Sequence, residues 1–171
     1  MKEQNNVEIE RKYIIKKPDF FTLSLCDEYT ESEILQIYLP SEQGETRRIR
    51  RRVYENQTVC TETKKIRIDN MSSTEIEREI SSLEFKKLAE NIKEGTSPII
   101  KSRHTFVFCG QLFEIDVYPQ WQHTAIMETE LDSRDKQVII PGFIEIICEV
   151  TGQKAYSNAS MSKEFPKELV F

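Results

Sequence analysis

Short runs in which charged and apolar residues alternate one by one recur along almost the whole chain, and they constrain its fold more than any other feature. A β-strand throws successive side chains to opposite faces, so residues two apart share a face. In the first run Glu8, Glu10 and Lys12 share one face, with Val7, Ile9, Arg11 and Tyr13 on the other. Thr46, Arg48, Arg50 and Arg52 share a face opposite Ile49 and Val53. Thr61, Thr63 and Lys65 alternate with Cys60, Glu62 and Lys64, and Glu75, Glu77 and Glu79 with Ile76 and Ile80. Lys101 and Arg103 lie between Ile100 and Phe106, and Glu114 and Asp116 alternate with Phe113, Ile115 and Val117. Glu128 and Glu130 lie between Ile126 and Leu131, and Glu145 and Glu149 alternate with Ile144, Ile146, Cys148 and Val150. Any half-buried sheet alternates polar with apolar. Here like charges cluster within single runs, acids on some and bases on others. Several such strands closed into a barrel line an interior with both signs.

The chain of 171 residues is sized for one domain spanning 1–171, long enough for a real core. Charged residues make up 31% and hydrophobic ones 38%, less apolar than an average globular protein. Charges turned into a barrel account for that. The net charge of −5 and a pI near 5.3 argue against general nucleic-acid binding. Arg47, Arg48, Arg50, Arg51 and Arg52 form a basic run, but strand alternation divides it between two faces, so it makes no single patch. No apolar stretch of 18 residues predicts a membrane-spanning helix, and Met1 to Asn6 is polar and reads as no secretory segment. Cys26, Cys60, Cys109 and Cys148 lack metal or redox spacing and read as reduced, core or half-buried thiols of a cytoplasmic protein. His104 falls on the face opposite Lys101 and Arg103 and reads as structural.

Strands are predicted near 7–16, 34–40, 45–54, 58–68, 74–80, 99–108, 111–119, 124–132 and 143–151, one more than an eight-stranded barrel needs. A helix is predicted over 81–91, with Ser81 and Glu84 as a capping box, Phe85, Leu88 and Ile92 in helical period, and Gly95 past its end. Shorter helices are predicted over 18–25, 133–138 and 157–164, and Gly110 marks a hairpin.

By itself, Glu8-Ile9-Glu10-Arg11-Lys12 would read as an edge strand with a solvated face. With the other runs in order behind it, it resembles the Glu-x-Glu-x-Lys signature of the CYTH family, the triphosphate tunnel metalloenzymes. Gln36-Ile37-Tyr38-Leu39 is similar to that family's second strand. Arg48-Ile49-Arg50 resembles its Arg-x-Arg, Thr63-Lys64-Lys65 its Thr-x-Lys, Glu75-Ile76-Glu77 its Glu-x-Glu and Lys101-Ser102-Arg103 its Lys-x-Arg. Leu112 to Tyr118, Glu128-Thr129-Glu130, and Glu149-Val150-Thr151 followed by Tyr156-Ser157-Asn158 complete a likeness over nearly the whole chain. Single pieces are weak; the ordered set is strong. The resemblance implies an α+β fold, a closed antiparallel eight-stranded β-barrel open as a tunnel with a few flanking helices, like the bacterial CYTH-type triphosphatases. Ser73 departs from it, standing where the family commonly has an Arg two places before the Glu-x-Glu pair.

The implied chemistry follows from the residue types. Arg meets two phosphate oxygens with a planar fork and Lys offers a point charge. Lys12, Arg48, Arg50, Lys65, Lys101 and Arg103 are the expected phosphate holders, with Lys64 competing with Lys65 for the inner face and Asp116 among the substrate-site residues. Like charges about 5 Å apart at an effective dielectric near 20 repel by roughly 3 kcal/mol, so such an interior needs acids or bound anions. Glu8, Glu10, Glu128 and Glu130 are the first choice for Mg²⁺ or Mn²⁺, which bind through a few carboxylates, waters and substrate phosphates. Glu75, Glu77, Asp116 and Glu149 are second choices, for a second metal, for orienting bases or as the general base; internal salt bridging competes. The catalytic set is then Glu8, Glu10, Lys12, Glu128 and Glu130. The expected activity is metal-dependent hydrolysis of a small-molecule triphosphate, most simply inorganic triphosphate, because no Gly-rich loop or base pocket is visible. A class IV-type adenylate cyclase, a thiamine triphosphatase and a non-catalytic polyphosphate- or nucleotide-binding module are the alternatives. Trp121, Tyr118 and Phe143 could wall a ring but suit core packing better. Tyr156 and Asn158 are expected to cap the last helix and close one tunnel mouth. Neither nucleic acid nor membrane is expected as a partner, and the resemblance leaves a homodimer open.

Overall fold

Nine antiparallel strands follow from the alternating runs: β1 (Gln4–Lys16), β2 (Asp27–Leu39), β3 (Glu45–Tyr54), β4 (Gln57–Arg67), β5 (Ser72–Ile80), β6 (Ile99–Phe108), β7 (Gln111–Val117), β8 (Thr124–Glu130) and β9 (Ile146–Glu149). The structure is a computed structural model that describes residues 4–169. The strand order is β5-β4-β3-β2-β6-β7-β8-β1-β9, and β1 also pairs with β5. That last pairing closes eight strands into a barrel. β1 makes the closure by dividing one edge: Gln4 to Ile9 pair with β5, and Tyr13 to Ile15 pair with β9, while Glu10 to Lys16 pair with β8 on the other edge. The expected eight-stranded barrel is present, and the ninth strand lies beside it on β1.

Three apolar clusters hold the wall. Tyr13, Ile15, Phe106, Phe113, Ile115 and Met127 pack outside the sheet against Leu23 of α1 (Phe20–Ser24) and Ile144. Ile37, Leu39, Ile49, Cys60 and Ile80 pack outside it against Phe85 of α2 (Ser82–Ala89). Ile14, Tyr38, Ile99, Tyr118, Trp121, Ile126 and Val150 gather at one end, under Met161 of α3 (Asn158–Met161). So two of the three cores lie outside the sheet, and the charged faces are left to point inward.

Helix and turn chemistry follows the residues. Ser81 caps α2 by accepting from the Glu84 N–H at 3.1 Å, while the Glu84 carboxylate turns to Arg78 instead of closing a capping box. Asp19 caps α1 and Ser157 caps α3. The Cys109-Gly110 hairpin has positive φ at both residues, as a two-residue type I′ turn requires. Four expectations change. β2 starts at Asp27, seven residues before the predicted 34, because its first half is polar on both faces. Residues 133–138 form turns and irregular chain with no helix, and β9 is shorter than 143–151. Cys109 is exposed, because it sits in a hairpin turn; all four cysteines are free. Among the described residues no helix is long and apolar enough to cross a membrane.

Candidate active site

Strand alternation brings residues from all eight barrel strands to one cavity of about 810 Å³. Glu8, Glu10 and Lys12 reach it from β1, Tyr38 from β2, Arg48 and Arg50 from β3, and Lys65 from β4. Glu75 and Glu77 reach it from β5, Arg103 from β6, Glu114 from β7, and Glu128 and Glu130 from β8. Four expected residues lie elsewhere. Lys64 is exposed on the outer face, one residue out of phase with Lys65. Glu149 is also outside, held by both Arg11 Nε at 2.9 Å and Arg11 Nη2 at 2.5 Å. Lys101 and Asp116 are fully buried inside the barrel and do not line the cavity. Lys101 Nζ donates to Asp116, which also takes the Arg103 guanidinium on both oxygens, at 2.7 and 2.8 Å.

The basic run divides as alternation requires. Arg48 and Arg50 face the cavity, while Arg47 pairs outside with Glu62 at 2.5 Å and Arg51 is exposed. His104 lies away from the cavity, its Nδ1 2.9 Å from the Tyr29 hydroxyl and its ring stacked on Phe20.

Acids inside the barrel fall into two groups. Glu128 lies 2.7 Å from Lys12 Nζ and 3.4 Å from Arg103 Nη2, and Glu75 lies 2.7 Å from Lys65 Nζ and 3.5 Å from Arg48 Nη2. Burial disfavours charge on both, but the neighbouring bases outweigh it: Glu128 falls to a pKa of about 2 and Glu75 is also lowered. Glu8 and Glu130 behave oppositely. Burial and then the Glu75 charge push Glu8 up to about 7, with Lys65 only 3.8 Å away as partial relief. Burial, then Glu114, Glu10 and Glu75, raise Glu130, which has no ion pair among the described residues. Glu10 and Glu130 stand directly opposite across β1 and β8. Their oxygens are hard donors of the kind Mg²⁺ and Mn²⁺ take. No three His, Cys, Asp or Glu side chains among the described residues converge enough to hold a metal unaided, so such a cation would complete its shell with water and ligand oxygens. With that completion the donor set of Glu8, Glu10 and Glu130 fits a hard divalent cation; Glu128 is occupied by bases.

The bases divide too. Lys12 and Arg103 have carboxylates at hand. Arg50 has none: its Nε and Nη2 meet only the Gln36 amide oxygen, at 3.3 and 3.2 Å. Burial, then the charges of Arg48 and Arg103, lower it to about 10. Beside it, Arg48 Nε is buried with no hydrogen-bond partner. A buried donor without an acceptor is costly, so the Arg48 Nε and the Arg50 guanidinium, which has no carboxylate partner, are points where an anion would be welcome. Gln36 is a site residue that sequence reasoning passed over, as are Glu114 and Tyr38. Gln36 is fully buried and also donates to the Tyr38 hydroxyl at 2.8 Å. The signal was its place in β2, two residues before Tyr38 and opposite Arg50.

The barrel interior therefore carries mixed charge, with Arg50 lacking a carboxylate and Arg48 Nε lacking an acceptor beside carboxylates that, among the described residues, have no base of their own. Among solved structures the chain is similar to the inorganic triphosphatase NE1496, at 27% identity over 93% of this chain and 96% of that one, with a TM-score of 0.58. It is also similar to PH1819 from Pyrococcus horikoshii OT3, at 22% identity over 75% and 80% of the two chains, TM-score 0.58. A third similarity is to the Hippeastrum adenylyl-cyclase candidate HpAC1, which has a dominant triphosphatase activity, at 15% identity over 73% and 80%, TM-score 0.51. No protein-family model and no curated protein matches the chain. By fold the chain is a closed eight-stranded antiparallel barrel of the kind these solved structures share.

Proposed function

We propose that this chain is a triphosphatase that hydrolyses inorganic triphosphate with Mg²⁺ or Mn²⁺. The observation that carries the reading is the half-buried Arg48–Arg50 pair, with Arg48 Nε lacking an acceptor and Arg50 lacking a carboxylate, inside a cavity lined from eight strands. A triphosphate supplies what the pair lacks: oxygens in number and several negative charges. Kinship of fold with NE1496, itself an inorganic triphosphatase, agrees.

Arg48 and Arg50 fork onto phosphate oxygens, and Gln36 keeps Arg50 aimed into the cavity. Lys12, Lys65 and Arg103 add charge from three further strands. Glu8, Glu10 and Glu130 would hold the divalent ion, which when bound neutralises phosphate charge and lowers the pKa of bound water. For the general base we assign Glu77, which lines the cavity and accepts from the Thr63 hydroxyl at 2.7 Å, to take the proton of the attacking water. Water oxygen bonds to phosphorus as the bridging bond breaks, and the guanidiniums stabilise the charge left on the departing phosphate. Trp121 and Tyr118 are buried in an apolar cluster and are not free to wall a nucleobase or thiamine, so inorganic triphosphate is preferred.

The test is phosphate release from inorganic triphosphate with Mg²⁺ or Mn²⁺. Release should stop on chelation and return with added metal. Binding without release from inorganic triphosphate, ATP or thiamine triphosphate would make the protein a binding module, and cyclic AMP from ATP would make it a cyclase.

A further inference from the structure

The bases that line the cavity are not all of one kind. Those described so far lie on strands, and most have a carboxylate or an amide beside them. Lys93, Lys154 and Lys163 lie off the barrel strands, line the same cavity, and have no acidic partner among the described residues. We propose that these three lysines form an outer anion subsite at the cavity mouth, which takes the distal phosphates of a linear polyphosphate longer than three units. The proposal rests on the triphosphatase reading of the inner site.

Their placement is built although their tips are free. The Lys93 N–H donates to Tyr38 O at 2.8 Å, which ties it to the end of β2. Ser97 N–H donates to Ser162 O at 2.6 Å, which binds the Lys93 loop to the segment carrying Lys163. Lys154 follows Gly152, whose φ of +73° suits glycine and whose Cα packs so close to Asn70 that a Cβ would lie 2.9 Å from its side chain. Arg67 spans this junction, donating to Asp69 O at 2.8 Å and Gly152 O at 3.2 Å. Among the described residues its hydrogen-bond partners are all carbonyls, so it adds a positive charge at the same mouth without an ion pair of its own. Two acids are also there: Asp69 is taken by Arg134, and Glu45 faces the cavity.

Room and chemistry favour phosphate as the outer occupant. At about 30 Å³ for a water-sized unit, a triphosphate of roughly 13 heavy atoms fills about half of the cavity. Lysine is a strongly hydrated point charge on a flexible stem, suited to a mobile phosphate tail. A nucleoside would ask for an aromatic face.

The experiment measures binding of linear triphosphate and pentaphosphate by calorimetry, for the wild type and for Lys93→Ala/Lys154→Ala/Lys163→Ala. Among the described residues the three side chains make no ion pair or hydrogen bond, and Lys154 and Lys163 are exposed, so the variant should fold, which circular dichroism checks. The wild type should bind pentaphosphate more tightly, and the variant should lose about tenfold of that preference. An unchanged ratio of the two affinities overturns the proposal, as does a loss that falls on ATP and spares pentaphosphate. Absence of triphosphate binding by the wild type would fell the triphosphatase reading, and this inference with it; Arg50→Ala, which should weaken both ligands alike, separates the two sites.

Discussion

Two buried charge clusters share this barrel and differ in how they are balanced. Around Asp116 each base has a carboxylate: Lys101 donates to Asp116, and Arg103 meets both Asp116 oxygens as well as Glu114 and Glu128. Around Arg50 the account stays open, with one amide oxygen for two guanidinium nitrogens and a neighbouring Arg48 Nε that has no acceptor. The first arrangement is what a fold needs. The second is what a ligand needs, because an unmet buried donor is costly until something enters to meet it. Burial alone therefore does not separate structural from functional charge; the balance of partners does.

The sharpest way to break this contrast is to remove the partner from the closed cluster. Asp116→Asn leaves Lys101 buried without its counter-ion and takes from Arg103 one of its three carboxylates, and loss of one member of a buried pair costs about 3–5 kcal/mol. Urea denaturation should show that loss, and a change under about 1 kcal/mol would mean the cluster is not closed. Arg50→Met should do the reverse. It removes a half-buried cation whose only partner is the neutral Gln36 amide, so stability should fall by only about 1 kcal/mol, the cost of leaving that oxygen unmet. Triphosphate affinity should fall at least tenfold, since a hydrogen bond to a charged group contributes about 1.5–3 kcal/mol.

Acids on the same wall offer a second contrast, in the sign of their pH dependence. Glu128 is lowered to about 2 from an ordinary 4.5, so its contribution is present above pH 4.5 and is lost as pH falls toward 2. Glu8 is raised from 4.5 to about 7, so the folded state holds its proton more tightly than the unfolded one. Its contribution is full below pH 4.5 and is lost as pH climbs to 7. Denaturation midpoints at pH 3, 4.5 and 7.5 should show a decline on both sides of 4.5. Glu8→Gln should flatten the alkaline side and Glu128→Gln should not. A Glu8→Gln profile that keeps the wild-type slope between pH 4.5 and 7 would show that Glu8 carries no strain.

How far the sequence spoke depends on the range of the interaction. Alternation is local, so the inward faces of β1, β3, β5 and β8 were legible from Glu8/Glu10/Lys12, Arg48/Arg50, Glu75/Glu77 and Glu128/Glu130. Strand pairing is not local. That Glu149 would leave the cavity for Arg11 depends on β9 running beside β1, outside the closed barrel, which no run of residues announces. The same holds for Lys101 and Asp116, whose parity is right. They lie behind Arg103, out of reach of the cavity, and depth along a tunnel is set by the stagger between strands. Asp27 to Glu33 was missed as strand because both of its faces are polar, and a period-2 signal needs a contrast to be seen. Gln36 was missed as a site residue because a lone amide carries no charge signature; only its two bonds to Arg50 reveal it.

The smallest effect tests the finest distinction, between adjacent lysines. Lys64 and Lys65 were alternatives for one inner position, and the register of β4 against β5 decides it, pairing Lys65 with Glu75 and Lys64 with Ile76. Lys65 Nζ then reaches Glu75 at 2.7 Å, while Lys64 stands in solvent. Lys64→Ala should shift stability by no more than about 0.5 kcal/mol, as surface substitutions do, with triphosphate affinity unchanged. Lys65→Ala frees Glu75 and Glu8 from their shared cation and should weaken triphosphate binding several-fold. If calorimetry gave equal losses for the two alanine variants, β4 would be one residue out of phase, and every inward residue on it would move to the outside.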